Sequence, residues 1–272
     1  MTPDKVAAPV HPNVGIEMAY KKKMEALVDN MHRSIMWWVL NAYKRDTPET
    51  VLMALDDTSA MKLHKIIQKL TKYWHKNFNE AAKDLAKYFA NKNQNQTDPA
   101  LKAILKSSGM AVEFKLTPAM RDTLQATIKQ NVALITNMAD NHLKEIEGIT
   151  MRSVQAGGDL KYLSDQLEAR YQMTRKRAKF IASDQNSKAT ASITRVRQIE
   201  LGLKKAKWLH SHAGKTPRPT HMALNGTLYD VKQGAWDKDA DGKGKGRYVF
   251  PGELIKCRCV SRSIIPGITK GY

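Results

Sequence analysis

The sequence is short of cysteine, of acidic side chains and of long apolar runs. Its two cysteines in 272 residues, Cys257 and Cys259, exclude a framework of several disulfides, and positions so close in sequence rarely bridge to each other. The longest apolar stretch, Ile35 to Leu40, is about a third of the roughly 20 residues that a membrane-spanning helix needs. The opening MTPDKVAAPVHPNVG places Pro3, Pro9 and Pro12 where a secretory signal requires an uninterrupted apolar segment, so an intracellular product with no membrane partner is expected. No histidine follows His221, and no serine or cysteine sits in a recognisable nucleophile elbow. Acidic residues number 26 against 45 Lys and Arg, a formal charge of +19. That imbalance points to a polyanionic surrounding, most simply nucleic acid.

What is present is mostly helical periodicity. Residues 1–14 read as an extended arm, three prolines breaking any repeat. Residues 15–90 read as an N-terminal helical region. Met24, Leu27, Met31, Ile35, Trp38 and Ala42 form one stripe, Thr47-Pro48 resembles the start of a short helix, and a stripe from Leu63 through Phe89 marks another. The polar run NKNQNQTDP opens a linker and connecting segment over 91–116. Residues 117–202 read as helical again: Thr117-Pro118 starts one helix, Gly157-Gly158 ends it, Asp159 to Tyr171 forms the next, and Thr174 caps a last one that stops at Gly202. From 203 to 272, glycine, proline and short β-prone pieces replace the stripes, and the charge rises to 14 Lys and Arg against 5 Asp and Glu. The predicted fold is mainly α, with long helices in the first three quarters and a small, basic α+β domain at the C-terminal end.

Chemistry-bearing residues concentrate in that last segment. A strand over KCRCV would put Cys257 and Cys259 on one face, about 6.5 to 7 Å apart at Cα. With His212 and His221 they make a tetrahedral zinc set; the competing reading is a pair of small buried thiols, with no cofactor at all. His221 followed by Asn225 is reminiscent of metal nucleases that use a histidine base, but their third residue, a later histidine, is missing. DKDADG at 237–242 imitates the opening of a calcium loop; its twelfth position is Tyr248 rather than the bidentate glutamate such loops require, so an exposed loop is the better reading. Lys204, Lys205 and Lys207 beside Trp208, and Lys243, Lys245 and Arg247 beside Tyr248, offer phosphate contact interleaved with aromatic stacking. Asn225-Gly226 suits a tight turn between strands, and Arg218 a bidentate clamp on a carboxylate or on backbone carbonyls.

The order of these features from Thr117 to Pro266 resembles the phage Mu F-like family of minor head, or head morphogenesis, proteins of tailed bacteriophages. The resemblance is carried by QAGGDLKYLSDQLEARYQMTRKRAKFIA with Arg177-Ala178 and Ile181-Ala182. Then come Trp208, Arg218, His221, Leu224-Asn225-Gly226, Pro251-Gly252-Glu253 and Cys257-Arg258-Cys259. Ile181-Ala182-Ser183-Asp184-Gln185 departs from the family's Ile-Ala-Arg-Thr-Glu type, and Ala213-Gly214-Lys215 stands where an acidic residue is usual. The resemblance implies a minor capsid component, not an enzyme, built into the procapsid and the interior of the head after assembly in the host cytoplasm. Its implied partners are the portal protein, the major capsid or scaffolding protein, and double-stranded DNA bound without sequence preference. Trp208, Arg218, His221, Asn225, Gly226, Pro251, Gly252, Cys257 and Cys259 are then scaffold residues. The rivals are a metal-dependent nucleic-acid hydrolase centred on His212, His221 and the cysteines, and a free-standing DNA-binding protein.

Overall fold

A computed structural model describes residues 3–45, 59–155, 160–212 and 216–267. Four long helices carry most of the chain: α1 (Val14–Arg45), α2 (Ser59–Ser107), α3 (Pro118–Gln155) and α4 (Leu160–Glu200). A short strand β1 (Lys5–Val6) precedes them. After them come β2 (Lys205–Leu209), α5 (Pro219–Ala223), β3 (Leu228–Asp230), β4 (Ala235–Asp237), β5 (Arg247–Val249) and β6 (Val260–Ile265). A mainly α chain with a small strand-rich C-terminal region is the class that the periodicity predicts. Among the described residues, no helix is long and apolar enough to cross a membrane.

The chain forms two compact units: Met1–Glu17, Tyr88–Ile128 and Ser183–Tyr272 in one, Met18–Lys87 and Lys129–Ala182 in the other. The boundaries fall inside helices rather than at the Gly202 shift in composition, so the strand-rich C-terminal segment shares its unit with residues from both earlier regions.

The all-helical unit is built from stripes at three- and four-residue spacing. On α1 the buried positions are Tyr20, Met24, Val28, Met31, Ile35 and Val39. Trp38, expected in the stripe, is 48% exposed beside Trp37 at 59%; Val39 takes the inward position. The α2 stripe follows expectation from Leu63 to Phe78, with Ala82 in place of Ala81 as the buried alanine. Two polar contacts lie within this unit: the Tyr20 hydroxyl donates to Asn131 Oδ1 at 2.8 Å, and His142 Nδ1 meets Thr174 Oγ1 at 2.8 Å. Thr174 is therefore no helix cap: α4 is continuous from Leu160 to Glu200, and the threonine hydroxyl also bonds back to the Arg170 carbonyl at 3.1 Å. A hydroxyl satisfied by the preceding turn is tolerated inside a helix. Thr47-Pro48 and Gly157-Gly158 lie outside the described residues.

In the mixed unit the expected extended arm finds its place, whereas the expected linker over 91–116 is largely helix. The N-terminal arm orders on the chain itself: β1 pairs antiparallel with β6, Lys5 opposite Ile265, and Arg262 Nε donates to the Ala7 carbonyl at 3.0 Å. Val10 is buried with Leu101 and Leu105, and Asn13 caps α1 through a bond from the Ile16 amide at 3.1 Å. The supposed linker is helical as far as Ser107, Pro99 included. Part of it faces polar partners, while Asn91, Lys92, Asn95 and Gln96 stay exposed. Asn93 and Thr97 are buried, Asn93 accepts from the Thr190 hydroxyl at 3.4 Å, and Asp98 holds the guanidinium of Arg197 bidentately at 2.9 and 2.7 Å.

Arg197 is 1% exposed and completes its set with Glu200 at 2.7 Å and the Lys115 carbonyl at 2.8 Å, while its plane covers the Phe114 ring. Four hydrogen bonds satisfy a charge that burial alone would make very costly. One turn later the helix stops as expected. Gly202 takes φ +71°, its amide bonds the Ile199 carbonyl, and the Leu203 amide reaches the Gln198 carbonyl, the paired pattern of a glycine-terminated helix. The chain turns from there into β2, the strand that lies between β6 and β3 in the sheet order β1-β6-β2-β3.

Two consequences are measurable. Arg197→Met leaves Asp98 and Glu200 facing each other without a cation, and unfolding free energy in urea should fall by about 3–5 kcal/mol; a change under about 1 kcal/mol would contradict the clamp. The His142 imidazole is pushed down from 6.5 to about 3, first by burial and then by the Arg170 and His32 charges. Between those values only the unfolded chain takes up the proton, so stability is full above pH 6.5 and is lost as the pH falls toward 3. Unfolding free energy should drop by about 2 kcal/mol from pH 7.5 to pH 5, and His142→Gln should remove most of that slope.

Candidate functional site

The site starts from Trp208 on β2, which is fully buried under the sheet. Ala206 and Trp208 alternate inward while Lys205 and Lys207 point away, as a period of two requires. Two rings stand edge-on to the indole: Tyr229 of β3 at 6.1 Å and His221 at 5.1 Å between centroids. Trp208 is thus a core residue and unavailable for stacking on bases.

His221 lies on α5, a helix of five residues that opens with Pro219 at its first position. Asn225 and Gly226 follow, and they join α5 to β3 rather than strand to strand. Gly226 has φ +81° and its amide donates to the Trp208 carbonyl at 2.8 Å; Asn225 Oδ1 accepts from the His210 amide at 2.9 Å. Both contacts bind the α5 turn to the end of β2, which fixes where the His221 ring emerges. Arg218 reaches one backbone carbonyl, that of Ile255, at 2.9 Å instead of forming a fork.

The imidazole of His221 is 2% exposed and engaged on both sides. Nε2 donates to Asp237 Oδ2 at 3.1 Å, and Asp237 is 0% exposed. With that proton placed on Nε2, the Nδ1 lone pair faces Cys257 Sγ at 3.4 Å and Cys259 Sγ at 3.7 Å. One ligand atom from each of His221, Cys257 and Cys259 lies within 4.8 Å of the others, all three residues being buried. The cysteines are free and precede β6 in extended chain rather than lying in a strand, yet the expected alternation holds: Cys257 and Cys259 face in and Arg258 faces out.

The loop that delivers the thiols is braced from α4. Gly252 has φ +81°, and a Cβ there would stand 2.7 Å from that of Ala191, so only glycine allows this approach. Its amide points at Cys257 Sγ, 3.3 Å away. Pro251 beside it is buried. Asp184 accepts from the Lys256 amide at 2.6 Å and pairs with Lys188 at 2.9 Å. Lys256 itself takes φ +57°, a strained conformation that this bond holds in place. The hydrogen bond from the Cys259 thiol favours the thiolate of Cys257; the shared proton and burial push Cys259 the other way.

Of the four residues that the sequence groups around a metal, the structure brings three together. His212 is exposed with φ +50°, its amide donating to His210 Nδ1 at 3.2 Å. A cavity of about 200 Å³ opens beside the sulfurs, lined by His210, Thr216, Arg218, Lys256 and Arg258 among others. No carboxylate is among its described lining residues.

Sequence reasoning missed Asp237 and Asp184. Asp237 hides in DKDADGKGKGR, read as a surface loop, and most of that loop does behave so: Asp239 Oδ1 accepts from the Gly244 amide and Asp241 Oδ1 from Lys243 and Lys245. These carboxylates fix the turn of a hairpin in which Ala235 pairs with Val249 and Asp237 with Arg247. Alternation in Ala235-Trp236-Asp237 was the available signal, since it sets Asp237 on the buried face and leaves Trp236 outside, 55% exposed. Lys204, Lys205, Lys243 and Lys245 are exposed and Lys207 half-buried; Arg247 pairs with Glu253 at 2.6 Å.

Residues 144–262 match the family described as Phage Mu protein F like protein. A protein of Haemophilus influenzae, described as an uncharacterized protein, is 26% identical over 210 residues, which cover 76% of this chain and 44% of the relative. The chain thus spans less than half the length of that relative. No solved structure matches it. The matched stretch, residues 144–262, holds His221, both cysteines, Asp237 and the Asp184 that braces their loop, so the whole site lies within the part of the chain that is similar to the phage Mu protein F like family.

Proposed function

We propose that the protein is a head morphogenesis component of a tailed bacteriophage, acting by docking rather than by catalysis, and housed in the interior of the head. The family match over 144–262 is the observation that carries this reading. Its partners are the portal protein and the major capsid or scaffolding protein. Trp37 and Trp38 on α1 supply an anchor of the kind that protein interfaces favour: two large exposed rings beside a recess of about 320 Å³ that also takes in Ala42, Ile66 and the stems of Lys62 and Lys65. Monomer surfaces seldom leave two adjacent tryptophans in water without use.

Packaged DNA is the second partner. The +19 charge and the exposed Lys204, Lys205, Lys243 and Lys245 suit phosphate contact without base readout, which would weaken steeply with added salt. A mass-spectrometric inventory of purified heads and procapsids should find the chain at low copy, and immobilised portal should retain the wild type but lose Trp37→Ala/Trp38→Ala by about tenfold or more. Absence from both particles and procapsids would overturn the reading.

A further inference from the structure

We infer that His221, Cys257 and Cys259 are the ligands of a single zinc ion, held as a structural tie between α5 and the loop that enters β6. Two sulfurs and one imidazole nitrogen form a soft, compact donor set suited to zinc and poorly suited to magnesium or calcium, which take oxygen. Among the described residues no other group of three histidine, cysteine or carboxylate side chains converges in this way.

Aim is the stronger point. A histidine that merely fills a core position needs one partner for its N–H and no particular direction for the opposite lone pair. Here the Nε2 proton goes to Asp237, and Nδ1 is thereby turned onto both sulfurs. A carboxylate behind a ligating histidine fixes its tautomer and raises its basicity, the usual outer partner of a zinc-bound imidazole. Asp237 pairs across the hairpin with Arg247, but its side chain is fully buried and its other oxygen accepts from the Asp239 amide at 3.0 Å. The Gly252 amide aimed at Cys257 Sγ is a donor placed for a thiolate.

Charge permits the ion: one divalent cation in place of two thiol protons leaves the net charge of these buried groups unchanged, so binding adds no uncompensated charge. Binding releases the thiol protons to solvent, and the bonds formed are two zinc–sulfur and one zinc–nitrogen. The cavity lined by His210, Arg218, Lys256 and Arg258 gives the ion a route in and a place for the fourth coordination position. Cations at its rim and the absence of a carboxylate among the described lining residues leave out the carboxylate ligand or base common at hydrolytic zinc sites, and the ion is assigned a structural role on that ground.

The test uses the full chain purified without an immobilised-metal step. Plasma mass spectrometry should find about one zinc per chain, and cobalt added after chelation should give the near-ultraviolet thiolate-to-cobalt band. Cys257→Ser/Cys259→Ser should abolish both signals, and Asp237→Asn should keep the stoichiometry while weakening zinc affinity about 10–100-fold. Wild-type protein with native circular dichroism, under about a tenth of an equivalent of zinc and no thiolate band in excess cobalt would overturn the proposal. So would unchanged metal content in the folded double serine variant. Neither result bears on presence in phage heads, so this inference and the proposed function fail separately.

Discussion

Everything distinctive in the C-terminal segment depends on one imidazole held from both sides. Asp237 fixes the His221 proton on Nε2, and the two sulfurs receive what is left, the lone pair on Nδ1. Three short stretches within 38 positions of one another meet there: the α5 turn, the β4–β5 hairpin and the loop before β6. None of them is long enough to be stable alone; five-residue helices and isolated hairpins are marginal in water. Burial of Trp208, edge-on to His221 and to Tyr229, supplies the apolar floor on which the three pieces rest.

The sheet above that floor is tied to the helices by polar contacts as much as by apolar ones. Gln198 of α4 donates to the hydroxyls of Ser261 and Ser263 on β6 at 2.9 Å each. Asp184, two turns before Ala191 on the same helix, holds the strained Lys256, and Ala191 leaves room for Gly252. One helix therefore positions the cysteine loop at two places and, through the Arg197 clamp, binds the end of α2 as well. The N-terminal strand closes the edge at β6.

The long stripes were legible because each amphipathic helix carries its own pattern. NKNQNQTDP was not, since a polar run reads as solvated unless its partners are known, and those partners, Thr190 and Arg197, lie about a hundred positions away. Thr174 has the side chain of a cap and the position of a helix interior; only the neighbouring His142 distinguishes the two. At the site, His221 and both cysteines were readable by type and spacing. His212 was grouped with them on composition, but its backbone turns into the left-handed region and carries the ring outward. Asp237 was lost among loop aspartates because charge density, the louder signal, masked a three-residue alternation.

In the segment that matches the phage Mu protein F like family, His221 and the two cysteines converge from the α5 turn and the loop before β6, and the zinc tie proposed for them is the claim most open to measurement. Zinc K-edge absorption of the purified full chain addresses that tie directly. The account predicts two sulfur scatterers near about 2.3 Å with nitrogen or oxygen at about 2.0–2.1 Å. A shell of nitrogen and oxygen alone, or no bound zinc, would contradict it.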